Sequence, residues 1–192
     1  MLDATIPSRV VELIAAPPLL HAGGTAQWSL KSDALEFIAR NVTVAHHTLE
    51  TGCGVSTILF ALLECEHICI APSADEIGRV REYCRSRDIS LERVQFINAY
   101  SQDVLPGLHP RNLSLVLIDG GYGFPVPFID WLYTSQGLQI GGHILVEPTD
   151  VWTGEVLRDF LSAEWQWQKV AEAGNTAIFR KVSSSTSTGI RS

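Results

Sequence analysis

Apolar residues recur along this chain in two rhythms, one helical and one strand-like, and the two alternate. Residues 8–16 and 32–41 carry apolar positions at helical spacing, with Leu35, Ile38 and Ala39 on one face, and Pro17 and Pro18 separate the two stretches. An apolar run ending in TLETG then leads through CGVS into STILFALLE, which reads as strand, glycine turn and helix. HICIAP is a second short strand of the buried kind, and SADEIGRVREYCRSR after it opens with Ser73 and Glu76 at capping-box spacing. VQFINA and LSLVLIDGG supply a third and fourth strand. PVPFIDWLYTSQ reads as a helix ended by Gly137, GGHILVEP as the fifth strand, and TGEVLRDFLSAE as the last helix. Strands this continuously apolar belong to a parallel sheet covered on both faces. The final segments, WQWQKVAEA and TAIFRKV, alternate instead and join across Gly174 and Asn175, a hairpin signal. The expected fold is α/β: a doubly wound, mostly parallel seven-stranded sheet closed by a C-terminal antiparallel hairpin. Residues 1–41 are expected to form an N-terminal helical cap, residues 42–182 the sheet domain, and residues 183–192 a disordered tail.

Composition narrows the function classes. A length of 192 residues suits one domain with a substantial core, and the 46% hydrophobic and 18% charged shares describe a soluble globular chain. No apolar run approaches the roughly 18 residues of a membrane span, and the first twenty residues lack the basic start and unbroken apolar stretch of a secretory signal. A cytoplasmic protein without membrane partners is expected. The formal charge of −7 disfavours a binder of nucleic acid, which needs clustered Lys and Arg, and favours a small-molecule substrate. Cys53, Cys65, Cys69 and Cys84 form no regular framework and are expected to be reduced core residues rather than zinc ligands.

In open parallel sheets ligands sit beyond the carboxyl ends of the strands, so the candidate residues are those that follow each apolar run. After the first strand, Gly52 and Gly54 permit a sharp turn and close approach to a ligand, and Ser56 and Thr57 begin the next helix with hydroxyls and free backbone donors. A GxG turn alone serves equally as a tight strand-to-helix connection. Asp119 ends the fourth strand beside Gly120 and Gly121, and Glu147 ends the fifth. His46 and His47 precede the first strand as surface or capping residues, and His143 reads as a partnered core histidine. The five tryptophans read as core and rim, with Trp28 the one candidate to cover a ligand.

LETGCGVST resembles the first motif of class I S-adenosylmethionine-dependent methyltransferases, and VLIDGGYGFPVPFIDW, GGHILVEP and TAIFRK resemble later blocks of small members of that family in the same order, over residues 28–181. The resemblance implies S-adenosylmethionine as cofactor. It implies that Glu50 meets the amino group of the methionine moiety, directly or through water, and that Gly52 and Gly54 pass beneath the cofactor beside Ser56 and Thr57. It places Asp119 as a substrate-facing acid or metal ligand, with Asp119 and Tyr122 as the catalytic candidates.

Departures from the family pattern are equally specific. Ala71 stands where an acid usually accepts both ribose hydroxyls, leaving Pro72 and Ser73 as local contacts; restoring that acid by Ala71→Asp is expected to tighten cofactor binding about tenfold. Asp75 and Glu76 read as first-turn residues that favour the helix dipole. Tyr100 and Ser101 replace an acid near the adenine. Tyr122 stands where relatives often carry His, and Glu147-Pro148 leaves one carboxylate where two are common, so no metal ligand set is assigned. The leading expectation is methyl transfer from S-adenosylmethionine to a small acceptor. The alternative is a non-catalytic binding or assembly protein on the same fold; a nicotinamide-binding protein is disfavoured by the missing third glycine and by the hairpin.

Overall fold

The computed structural model describes residues 6–20 and 30–183, so Trp28 and residues 184–192 of the tail expected to be disordered lie outside the described residues. Two helices come first, α1 (Ser8–Ala15) and α2 (Ser32–Asn41), followed by β1 (His47–Thr51), α3 (Val55–Leu62), β2 (Glu66–Ile70) and α4 (Ala74–Ser86). Then come β3 (Val94–Ile97), α5 (Ser101–Leu108), β4 (Leu113–Ile118), α6 (Val126–Gly137), β5 (Leu138–Val146) and α7 (Trp152–Ala163). The chain finishes with β6 (Trp167–Ala173) and β7 (Thr176–Lys181). His47 thus opens the first strand rather than preceding it, and α5 is an element that the sequence pattern did not mark.

The strands form one sheet in the order β3-β2-β1-β4-β5-β7-β6. All neighbours from β3 to β5 pair parallel, and β7 pairs antiparallel with both β5 and β6. This matches the doubly wound, mostly parallel sheet with a closing hairpin. Gly174, at φ +63°, supplies the left-handed position of the hairpin turn between Ala173 and Thr176.

Side-chain alternation along the central strand divides the core into two layers. Leu115 and Leu117 of β4 join a cluster with Leu35 and Ile38 of α2, Ile58 and Leu59 of α3, and Ile77 and Val80 of α4. Val116 and Ile118 face the other way, toward Leu105 of α5 and Leu157 and Leu161 of α7. Each of these leucines is essentially inaccessible, so truncating one to alanine would cost about 2–5 kcal/mol. Rigid packing on both faces fixes the strand ends, and the loops beyond them inherit that rigidity. The backbone ladder also runs one residue past the strands: Gly52 N–H donates to Ile70 at 2.9 Å, Ala71 to Ile97 at 3.1 Å, Asp119 to Thr51 at 3.0 Å, and Glu147 to Ile118 at 2.9 Å. No helix among the described residues is long and apolar enough to cross a membrane.

The four cysteines are free and buried, as the sequence implied, and burial pushes the thiols of Cys65 and Cys84 up to about 11. His143 stands edge-on to Phe37 at 5.1 Å on the α2 side of the sheet. His46 accepts from the Thr43 N–H through Nδ1 at 2.9 Å, which makes it a turn cap.

Candidate functional site

Two cavities open side by side at the carboxyl ends of the parallel strands. The first, about 400 Å³, lies over the glycine turn and is walled by Gly52, Cys53, Gly54 and Ser56, by Ala71, Pro72 and Glu76 after β2, by Asp119 to Tyr122 after β4, and by Leu30. The second, about 300 Å³, is walled by Asp119, Tyr122, Glu147, Pro148, Asp150, Val151 and Asn175. Asp119 and Tyr122 belong to both walls, so they stand between the two spaces. A larger surface cavity of about 680 Å³ lies between α1 and α4, beside Arg9, Tyr83 and Arg87, but no strand end opens into it.

Bare backbone forms the floor of the first cavity for a reason local to the turn. Gly52 has φ +111°, and a Cβ there would run into the Asp119 carbonyl. Gly52 therefore serves the contact between the β1 and β4 ends as well as the cavity. Gly120 is constrained in the same way, because its Cβ would meet the Thr51 side chain at 3.1 Å. Gly54 N–H donates to Thr57 Oγ1 at 3.0 Å, which closes the turn onto the start of α3.

Of the residues expected at a ligand, Gly52, Gly54, Ser56, Pro72, Asp119 and Tyr122 reach the cavity walls. Glu50, Thr57, Ser73 and Ser101 are not part of them. Glu50 is 1% exposed and lies behind the turn, its carboxylate accepting from Ser56 Oγ at 2.6 Å, from Thr57 Oγ1, and from His67 Nε2 at 3.1 Å. Ser73 caps α4 by accepting from the Glu76 N–H at 3.2 Å. Ser101 is buried at the start of α5, and its hydroxyl, with that of Thr51, faces the fully buried carboxyl of Asp130 on α6. Tyr100 is exposed and lies outside both walls.

Three residues that sequence reasoning passed over matter here. His67 was hidden inside an apolar strand, where only cross-strand register brings it beside Glu50. Glu76 was assigned to helix stabilisation, yet the first turn of α4 carries it into the wall next to Ala71. Asp130 sat unremarked in the sixth helix. An acid in the middle of an otherwise apolar helical face was the signal available.

The electrostatics of the shared wall are those of crowded acids in low dielectric. Burial, then the neighbouring charges of Glu147 and Glu50, raise Asp119 well above the usual carboxylate range, against a small opposing effect of the Tyr122 hydroxyl at 3.5 Å. Glu147 is also raised, mainly by burial, although Thr176 Oγ1 donates to its Oε2. Tyr122 is pushed up by burial and by Asp119, so its hydroxyl stays protonated and acts as a donor. An acid with a raised pKa is a stronger base once ionised, which suits proton acceptance. Among the described residues no group of three or more His, Cys, Asp or Glu side chains is arranged to hold a metal ion.

Comparison with solved structures decides the fold. The chain superimposes on a proposed O-methyltransferase from Klebsiella pneumoniae with a TM-score of 0.68 at 18% identity, covering 95% of this chain and 94% of that one. It superimposes on an S-adenosylhomocysteine-bound methyltransferase from Podospora anserina with a TM-score of 0.65 at 18% identity, over 93% and 89%. This is the class I methyltransferase fold. An rRNA methylase from Streptococcus thermophilus shares it as well, with a TM-score of 0.57 at 12% identity over 77% of this chain and 93% of that one, so the methyltransferase fold alone does not support excluding a nucleic-acid substrate. No protein-family model and no curated protein matches the sequence.

Proposed function

We propose that the protein transfers a methyl group from S-adenosylmethionine to a small acceptor, with the donor in the first cavity and the acceptor in the second. The observation that carries this reading is the pair of adjoining cavities divided by Asp119 and Tyr122. The first cavity suits the cofactor: its volume lies within the about 300–1,000 Å³ of small-molecule sites, its floor is glycine backbone, and Leu30, Pro72 and Val55 offer apolar contact. Glu76 is the acid available to ribose hydroxyls in place of the one missing at Ala71. Bound there, the cofactor supplies an electrophilic methyl group on a sulfonium.

The chain's own contribution is position, exclusion of water and acceptance of one proton. The rigid strand ends hold both cavities in fixed relation, which supports in-line approach of the acceptor. Asp119, when ionised, takes the proton that the acceptor releases, and the Tyr122 hydroxyl orients Asp119 by donating its one hydrogen to it. The formal charge of −7 and the acids of the second wall favour a neutral or cationic small molecule over a polyanion such as RNA. The same altered positions that set this chain apart, Ala71, Tyr100, Tyr122 and Pro148, suit the competing reading of a non-catalytic binding protein. Formation of S-adenosylhomocysteine from S-adenosylmethionine over a panel of neutral and cationic small acceptors separates the two. Product above the no-enzyme rate supports catalysis; cofactor binding without product for any acceptor supports the binding protein.

A further inference from the structure

Three loops beyond the strand ends enclose the second cavity, and they are stitched to one another. The Thr149 N–H and Oγ1 both donate to the Asn175 carbonyl, at 2.7 and 2.9 Å, and Thr153 Oγ1 donates to the Tyr122 carbonyl at 2.5 Å. Gly154 packs so closely on the Pro148 carbonyl that a Cβ would overlap it. The wall is therefore formed before any acceptor arrives, which lowers the cost of ordering it on binding.

Donors and acceptors in this wall are unequally supplied. Its acids are Asp119, Glu147 and Asp150, and among the described residues no Lys, Arg or His forms part of it. Two of its side chains bear polar hydrogens by nature, and both turn them to those acids. The Tyr122 hydroxyl faces Asp119 at 3.5 Å, and the Asn175 amide donates from Nδ2 toward Asp150 at 3.5 Å and also serves Glu147. Asn175 keeps that orientation although it leaves Oδ1 buried without a protein partner. A ligand thus meets carboxyl oxygens and finds no uncommitted side-chain donor. Asp119 and Glu147 also suffer each other's charge and that of Asp150, offset in part by Lys31, which is exposed and outside the wall. A cation entering the cavity relieves that repulsion, and an anion adds to it.

Beside the acids stands an aromatic ledge. Trp152 follows Val151 of the wall, and Phe124 lies two residues past Tyr122. They are 63% and 68% exposed, with ring centroids 6.2 Å apart, and Phe128 backs Phe124 at 6.3 Å. Aromatic surface left to water beside a cavity is a place where a ligand's apolar part can be covered, and the ring faces attract positive charge as well.

We propose that the acceptor taken by the second cavity is an organic ammonium carrying an aromatic group, with its N–H hydrogens on Glu147 and Asp150 and its ring on the ledge of Phe124 and Trp152. This rests on the reading of the second cavity as the acceptor site and narrows it from neutral or cationic molecules to cations. The residues that choose the acceptor are then Glu147, Asp150, Phe124 and Trp152, none of which belongs to the wall of the first cavity.

Calorimetry on the full chain tests this with three probes, 2-phenylethylamine, 2-phenylethanol and n-butylamine. Each is titrated after S-adenosylhomocysteine has been added to saturation and its own heat recorded. Wild type should bind 2-phenylethylamine at least about tenfold more tightly than 2-phenylethanol, the worth of one hydrogen bond to a charged group. Asp150→Asn and Glu147→Gln should each remove most of that preference while leaving affinity for the alcohol within about threefold. Trp152→Ala should weaken 2-phenylethylamine about three- to tenfold and leave n-butylamine, which has no ring, within about twofold. Asp150 and Trp152 are exposed, so their variants decide should Glu147→Gln fail to fold. Equal binding of amine and alcohol by wild type, or an unchanged preference in Asp150→Asn, overturns the ammonium site. An unchanged affinity for 2-phenylethylamine in Trp152→Ala overturns the ledge. If S-adenosylhomocysteine binds and neither amine does, the proposal falls and the S-adenosyl reading stands. If 2-phenylethylamine binds with the expected preference and S-adenosylhomocysteine gives no heat, the ammonium site stands and the S-adenosyl reading falls.

Discussion

Asp130→Asn is expected to stabilise the protein in a way that grows with pH. The carboxyl of Asp130 is fully buried on α6 and faces the hydroxyls of Ser101 and Thr51 at a distance or angle that leaves both its oxygens without a well-formed protein hydrogen bond. Burial raises its pKa from 3.8 to about 6, with the two hydroxyls pulling it back. The folded-state pKa therefore exceeds the unfolded one, and the native state binds the extra proton. Stability from this group is fully present below about pH 4 and is lost as pH rises through about 6. A shift of about 2 pKa units corresponds to roughly 3 kcal/mol. Asparagine keeps the shape and cannot ionise, so its advantage should be about 1 kcal/mol at pH 4.5 and roughly 3 kcal/mol at pH 8. For a chain of this size that corresponds to a melting-temperature gain of about 6–12 °C at pH 8. Urea unfolding of both proteins at the two pH values measures the difference, and other titrating groups cancel in it. A gain that is equal at pH 4.5 and pH 8, or a loss at pH 8, would refute the reasoning. The hydroxyls involved stand beside Gly52 and at the start of α5, so the same substitution reports on how the cavity floor is braced.

Other substitutions probe the two cavities directly. Glu76→Gln should weaken S-adenosylhomocysteine binding about tenfold in calorimetry, because it removes a carboxylate that shares the cavity wall with Ala71. Ala71→Asp, expected from the sequence to tighten binding, now carries a cost: the side chain is 1% exposed, and a second carboxylate would face Glu76, so no gain in affinity is expected. Asp119→Asn should lower turnover by about 10²-fold while leaving the dissociation constant of S-adenosylhomocysteine within about threefold, and an equal fall in both would assign Asp119 to binding instead. With wild type, turnover should rise with pH as Asp119 ionises, over a limb that lies above the usual carboxylate range. A chelator should leave turnover unchanged, since Glu147 is engaged by Thr176 and, among the described residues, no group of three or more His, Cys, Asp or Glu side chains is arranged as a ligand set; loss of turnover restored by magnesium would reverse that expectation.

The fold was legible because strand runs such as LSLVLI and the GxG turn obey local rules that tertiary context did not override. The helix α5 was not, because SQDVLPGL contains Pro106 and Gly107, which lower helix propensity and hide a short helix held by Leu105 in the core. Site residues divide in the same way. Gly52 was found from its turn, but its conformation and its contact with Asp119 mean that Gly52→Val would disturb the strand ends as well as the ligand space, so it is no clean probe of binding. Glu50 was correctly placed at a strand end, yet its direction depends on the β1–β2 register and on the hydroxyls of α3, neither of which local sequence encodes. His67 escaped notice for that reason.

The central claim is that the cavity over Gly52 and Gly54 binds an S-adenosyl ligand, and titration calorimetry of the purified wild-type chain with S-adenosylhomocysteine, with NAD as the comparison, tests it most directly. Saturable one-site binding of S-adenosylhomocysteine and none of NAD is the expected result. No heat of binding from S-adenosylhomocysteine up to about millimolar concentration, where a dissociation constant would correspond to only about −4 kcal/mol, would contradict it.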